Sequence, residues 1–121
     1  MKVLYVEPLR HPRVVEIVDD ADVLIKLIKC EYIECVYPFK EEVVLICDDC
    51  GMISGKQIPN RKVGRNIIFG PFILAGIDED RFISLTEEQV KRYQSMFYYP
   101  ELFRRDESGI EVIKIIKENE A

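Results

Sequence analysis

A chain of 121 residues, 48% apolar and 32% charged, has the size and composition of one globular domain with little room for extended disorder. Its formal net charge of -5 argues against a general nucleic-acid binder, because most of such a surface repels a polyanion. No run approaches the roughly 20 apolar residues that cross a bilayer, and the opening MKVLYVEPLRHPRVVEI breaks its apolar run at Glu7 and Pro8, unlike a signal peptide. The expected compartment is the cytoplasm.

Taken in chain order, Lys2 to Val6 and the β-branched run Arg13 to Val18 predict an N-terminal hairpin whose turn, Glu7 to Pro12, holds two prolines. Asp19 or Asp20 then caps a first helix, with Val23, Leu24, Leu27 and Ile28 at helical spacing and an end near Lys29. Two strands follow, Glu31 to Tyr37 and Glu42 to Cys47. The stretch Ser54 to Asn66, with two glycines and a proline, reads as a loop. Ile67 to Ile77 is a continuous apolar run broken by Gly70 and Pro71, which predicts a central strand with a kink. Thr86 and Gln89 form a capping box that opens a second helix with Val90, Tyr93, Met96 and Phe97 on one face, ended by Pro100. A last strand, Ile110 to Ile116, is expected at a sheet edge, and residues 117–121 are expected to fray. Because strands and helices do not alternate strictly, the predicted class is α+β, a single domain with a mostly antiparallel sheet and two helices.

Most sequence signatures of catalysis are missing. No Gly-x-Ser-x-Gly, Walker, Gly-x-Gly-x-x-Gly or His-Glu-x-x-His string occurs, and nothing assembles a nucleophile, a base and an orienter, so the chain is not expected to be an enzyme. The one histidine, His11, reads as an ordinary surface residue. Asp78, Glu79 and Asp80 lack the spaced ligands of a calcium loop and read as a solvated turn. Cys30, Cys35, Cys47 and Cys50 have the spacing Cys-x4-Cys and Cys-x-x-Cys, which admits zinc or dithiol chemistry. Against both, Cys35 falls within a strand-like run, and Asp48 and Asp49 raise the thiol pKa between them. Reduced packing residues are the expected role, with no metal and no cofactor.

One island stands against the acidic balance. Ser54 to Asn66 holds four cations, Lys56, Arg61, Lys62 and Arg65, and no acid. Arginine forks match phosphate and carboxylate oxygens, so a small anion is the implied guest, although solvated surface charge is the plain alternative. Arg61 and Arg65 are expected to grip phosphates and Asn60 to read a polar edge. Arg81 beside Phe82 is expected to add a charge and a stacking face, though Phe82 could instead be a core aromatic. The ligand set is therefore Lys56, Asn60, Arg61, Lys62, Arg65, Arg81 and Phe82.

The segments MKVLYVEP, EYIECVYPF, IPNR, IFGPFILAG and SLTEEQVKRYQSMFYYPE together resemble a small uncharacterised family from phages, prophages and related bacteria, over nearly the whole chain. The cysteines are not part of that pattern. Size and setting are also similar to the Thoeris anti-defence sponges, small phage proteins that sequester cyclic ADP-ribose-like signals. That resemblance implies a homo-oligomer that holds an anionic nucleotide signal without cleaving it and so blocks host defence. The alternative is a module that docks on and inhibits a host protein through the aromatics Phe97, Tyr98, Tyr99 and Phe103.

Overall fold

The structure, a computed structural model, describes residues 1–115. In chain order its elements are β1 (Lys2–Val6), β2 (Arg13–Glu16), α1 (Ala21–Ile28), β3 (Ile33–Val36), β4 (Val43–Asp48), β5 (Pro59–Val63), β6 (Asn66–Phe69), β7 (Phe72–Asp78), β8 (Arg81–Ile83), α2 (Glu87–Met96), β9 (Glu101–Asp106) and β10 (Gly109–Lys114). The arrangement is α+β with antiparallel strand pairing throughout the described residues.

The main sheet runs β2-β1-β7-β4-β3, and β8 pairs with the far end of β7. Its three central strands are almost continuously apolar because both faces are covered, so neither face needs polar residues. Register assigns each row to a layer. Leu4, Leu74 and Leu45 lie side by side and face α2, whereas the next row, Tyr5, Ile73 and Ile46, faces α1. α1 packs through Leu24 and Ile28, four residues apart on one face, and α2 with its following turn packs through Tyr93 and Phe97.

Both helices start where the sequence says they should. The Asp20 carboxylate accepts from the Asp22 backbone N–H at 2.8 Å, and Lys29 ends α1 in the left-handed region at φ 61°. In α2, Thr86 Oγ1 accepts from the Gln89 N–H at 3.1 Å and Gln89 Oε1 accepts from the Thr86 N–H at 2.9 Å, which completes the capping box.

Two expectations change. Ser54 to Asn66 is not one loop, since β5 occupies its second half and pairs with β6 as a separate two-stranded sheet. The expected kinked strand Ile67 to Ile77 is two strands in different sheets. Gly70, at φ 82°, makes the break and lets the chain leave the hairpin to enter the sheet centre as β7. The last strand lies at a sheet edge as expected, in a separate two-stranded sheet with β9. The end of that strand at Ile116 and the frayed tail at 117–121 lie outside the described residues.

Candidate ligand-binding site

The β5 hairpin approaches the main sheet through a buried polar hub. Asn60 and Arg61 are both fully buried. Asn60 Nδ2 donates to the carbonyls of Val6 and Gly70, each at 2.9 Å, which ties β5 to the end of β1 and to the entry of β7. Arg61 donates from Nη1 to Asn60 Oδ1 at 2.8 Å, from Nη2 to the Phe97 carbonyl at 2.9 Å, and from Nη2 to the Arg10 carbonyl at 2.7 Å. Burial lowers the Arg61 pKa to about 10, partly opposed by the Glu101 carboxylate, so the guanidinium stays charged at neutral pH. Glu101 is itself buried and accepts from the Lys62 backbone N–H at 2.9 Å.

The hub's hold on Arg10 fixes the loop between β1 and β2. Pro8 and Leu9 form the centre of a turn closed by Arg10 N–H to Glu7 C=O at 3.3 Å, with Leu9 at φ 63°. A leucine there is strained by roughly 1 kcal/mol or more, and the contacts around it must hold it. His11 supplies one of them. Its Nδ1 lies 2.5 Å from the Tyr98 carbonyl and its ring stacks on Tyr98 at 4.2 Å, so the proton on that nitrogen is donated. Pro12 is buried, and Arg13 then enters β2 with its guanidinium over the Tyr5 ring and 3.3 Å from Glu7 Oε1.

Over this loop lies an open cleft of about 670 Å³, lined by Glu7, Leu9, Arg10, His11 and Arg13 and by Pro100 and Ile115. Arg10, His11 and Arg13, three of four consecutive positions of a backbone held by Arg61 and Tyr98, thus line one cleft together with Glu7. The two arginines of such a group offer guanidinium donors of the kind that pair with an anion.

Residues 1–98 match the family model described as a domain of unknown function, DUF3846. The chain belongs to that family. No curated protein and no solved structure matches it. The DUF3846 match contains the whole hub and the β1–β2 loop, whereas Glu101 and the β9–β10 hairpin follow it.

Within the DUF3846 domain, the seven residues chosen from sequence are dispersed. Asn60 and Arg61 point inward and their donors meet backbone carbonyls, so neither presents itself to a ligand. Lys62 and Arg65 are exposed at the hairpin end, next to Gly64, and Lys56 is exposed in the loop before β5. Arg81 and Phe82 are on β8 beside Ile77 and Asp78, six strand steps from Phe72, or roughly 20 Å from the hairpin end of β7. Phe82 packs against the α1-facing core, the alternative its apolar neighbours allowed.

The aromatic cluster also divides. Phe97 is buried with its ring edge-on to Phe72 at 5.5 Å, whereas Tyr98 carries His11 on its face. All four cysteines are unbridged, Cys47 is buried as a packing residue, and Cys50 is exposed. Among the described residues no three His, Cys, Asp or Glu side chains converge in a metal-binding arrangement. No helix among them is long and apolar enough to cross a membrane.

The missed residues were Arg10, His11 and Arg13. Their sequence signal was three nitrogen bases within four positions of a proline-bounded turn. What could not be read was that a buried arginine some fifty positions later, Arg61, anchors that turn by its backbone.

Proposed function

We propose that this protein captures a compact anionic ligand of nucleotide size, without altering it chemically, in the cleft of the β1–β2 loop. The observation that carries the reading is that Arg10 and Arg13, on one anchored loop, line a cleft of about 670 Å³. That volume lies within the roughly 300–1,000 Å³ typical of small-molecule sites. Arg13 turns from Glu7 to the ligand at little cost, because a 3.3 Å ion pair with a largely exposed arginine is weak. Each arginine then contributes about 1.5–3 kcal/mol through charge-assisted hydrogen bonds. Leu9 and Ile115 offer apolar surface to a base or ribose. Lys56, Lys62 and Arg65 supply a second positive surface on the hairpin, which attracts anions over a Debye length of about 8 Å but forms no enclosed site with Arg81 or Phe82.

The biological setting belongs to the same proposal. Capture of a nucleotide immune signal inside a cell, as in the sponge proteins the sequence resembles, requires tight holding and no hydrolysis, and a loop with two arginines suits holding.

The test is to incubate the protein with ADP-ribose, cyclic ADP-ribose and cyclic dinucleotides, wash it, release bound material by heat and weigh it by mass spectrometry. Recovery of one intact compound, lost in the double variant Arg10→Ala, Arg13→Ala, is the expected result. Recovery of a cleaved product, or equal recovery from the double variant, would overturn the reading.

A further inference from the structure

A cavity of about 550 Å³ lies where the β9–β10 hairpin meets the end of β5 and the C-terminus of α2. The hairpin contributes one face to it. Glu101 and Lys114 are register partners, which places them on the same side, and Val112 lies two positions from Lys114 on that side. Lys62 and Val63 bound the cavity from β5, and Phe39 bounds it from the segment between β3 and β4. No residue that lines it also lines the anion cleft of the β1–β2 loop.

The buried group here is Glu101, only 5% exposed. Its Oε1 satisfies the Lys62 backbone N–H at 2.9 Å, and its charge opposes the lowering of the Arg61 pKa by burial. Oε2 has no hydrogen bond and no ion pair among the described residues. A carboxylate so deeply buried is costly unless its remaining lone pairs are met. Lys114 stands directly across the hairpin, with Cβ atoms roughly 4.5–5.5 Å apart at such a pair. Yet the two form no ion pair, and Lys114, like Lys62, is exposed. An acceptor and two cations therefore border one cavity without being joined to each other. The apolar wall between them is already built. Phe39 is held by ring contacts with Tyr93 at 4.6 Å and Phe97 at 6.4 Å, whereas Met96, 47% exposed, is free to adjust to a guest.

We propose that this cavity binds a free α-amino acid with an apolar side chain. The ammonium group of the guest donates to Glu101 Oε2, its carboxylate accepts from Lys62 and Lys114, and its side chain lies against Phe39, Val63 and Val112. The charges select a zwitterion. A phosphate dianion would face the Glu101 carboxylate, a plain amine would leave both lysines unused, and a plain carboxylate would leave Oε2 unmatched.

The probe is L-phenylalanine, added to the isotope-labelled full chain up to about 10 mM, which saturates a site with a Kd of about 1 mM or tighter. The amides of Lys62, Val63, Gly64 and Lys114 should move along one saturable curve. Phenylpropanoate, which lacks the ammonium group, and phenethylamine, which lacks the carboxylate, should each bind at least about tenfold more weakly, because each forfeits a charge-assisted hydrogen bond. Glu101→Gln keeps an oxygen for the Lys62 N–H but removes the charge, and Lys114→Ala alters an exposed position; each should also weaken L-phenylalanine by about tenfold or more. If Glu101→Gln does not fold, Lys114→Ala and the two analogues decide the matter alone. Equal binding of either analogue, unchanged binding in Lys114→Ala, shifts centred on the β1–β2 loop, or no saturable shift at all would overturn the proposal.

Discussion

Replacing Arg61 by methionine tests the hub most sharply, because it keeps an apolar stem of similar reach and removes the fork. Three acceptors lose their donors: the Phe97 carbonyl, the Arg10 carbonyl and Asn60 Oδ1. The Phe97 carbonyl and Asn60 Oδ1 are buried and cost about 1–3 kcal/mol each when left unsatisfied, and the partly buried Arg10 carbonyl costs about 1, or roughly 5 in all. Part of this is returned. Burial had lowered the Arg61 pKa from 12.5 to about 10, so removing the charge relieves roughly 3 kcal/mol at about 1.4 kcal/mol per pH unit. The expected net loss is about 2 kcal/mol, a sizeable share of the roughly 5–15 kcal/mol that holds a typical domain.

Urea denaturation followed by circular dichroism should show the midpoint falling by roughly 1 M at an unchanged slope, given a slope of about 1.5–2.5 kcal/mol per M. Arg61→Lys is the informative partner. It keeps the charge but loses the planar fork, so it should be at least as unstable as the methionine variant. A lysine variant that unfolds with the wild-type protein would refute the reasoning, since charge alone, and not the geometry of three acceptors, would then hold β5 to the β1–β2 loop.

Three further outcomes follow. Thr86→Ala removes the acceptor for the Gln89 N–H and should lower stability by about 1 kcal/mol, measured by the same denaturation series. Burial, and after it the charges of Glu34, Asp48 and Asp49, push the Cys47 thiol up from 9.0 to about 12, so the folded chain holds that proton where the unfolded chain releases it. Stability should therefore be fully present below about pH 9 and fall by up to ~1.4 kcal/mol per pH unit above it, a slope that Cys47→Ala makes shallower. With Ellman's reagent on the native protein at pH 8, the exposed Cys50 should react first and Cys47 last; rapid reaction of all four would contradict the packing described for Cys47.

The elements held by local chemistry were legible in the sequence. Thr86 and Gln89 are three residues apart and cap α2 without outside help, and Leu24 with Ile28 marks the buried side of α1 before any partner is known. Long-range geometry was not legible. The run Ile67 to Ile77 is equally apolar on both sides of Gly70, yet one half belongs to a hairpin and the other to the sheet centre, because apolarity reports burial and not which sheet does the burying. Arg61 is the strongest instance. An arginine among cations and glycines reads as surface, and only the convergence of carbonyls from Phe97 and Arg10, distant in sequence, makes its burial tolerable. The cleft proposed for an anion is lined instead by Arg10, His11 and Arg13, which the same burial of Arg61 holds on one loop through the Arg10 carbonyl.

The central claim concerns where an anion binds, and the two basic surfaces can be told apart directly. In an amide-resolved NMR titration with ADP-ribose, the resonances of Leu9, Arg10, His11 and Arg13 should move along saturable curves, and those of Gly64 and Arg65 at the hairpin turn should move little. Shifts centred on the hairpin turn, or no saturable shift in the β1–β2 loop, would contradict the account.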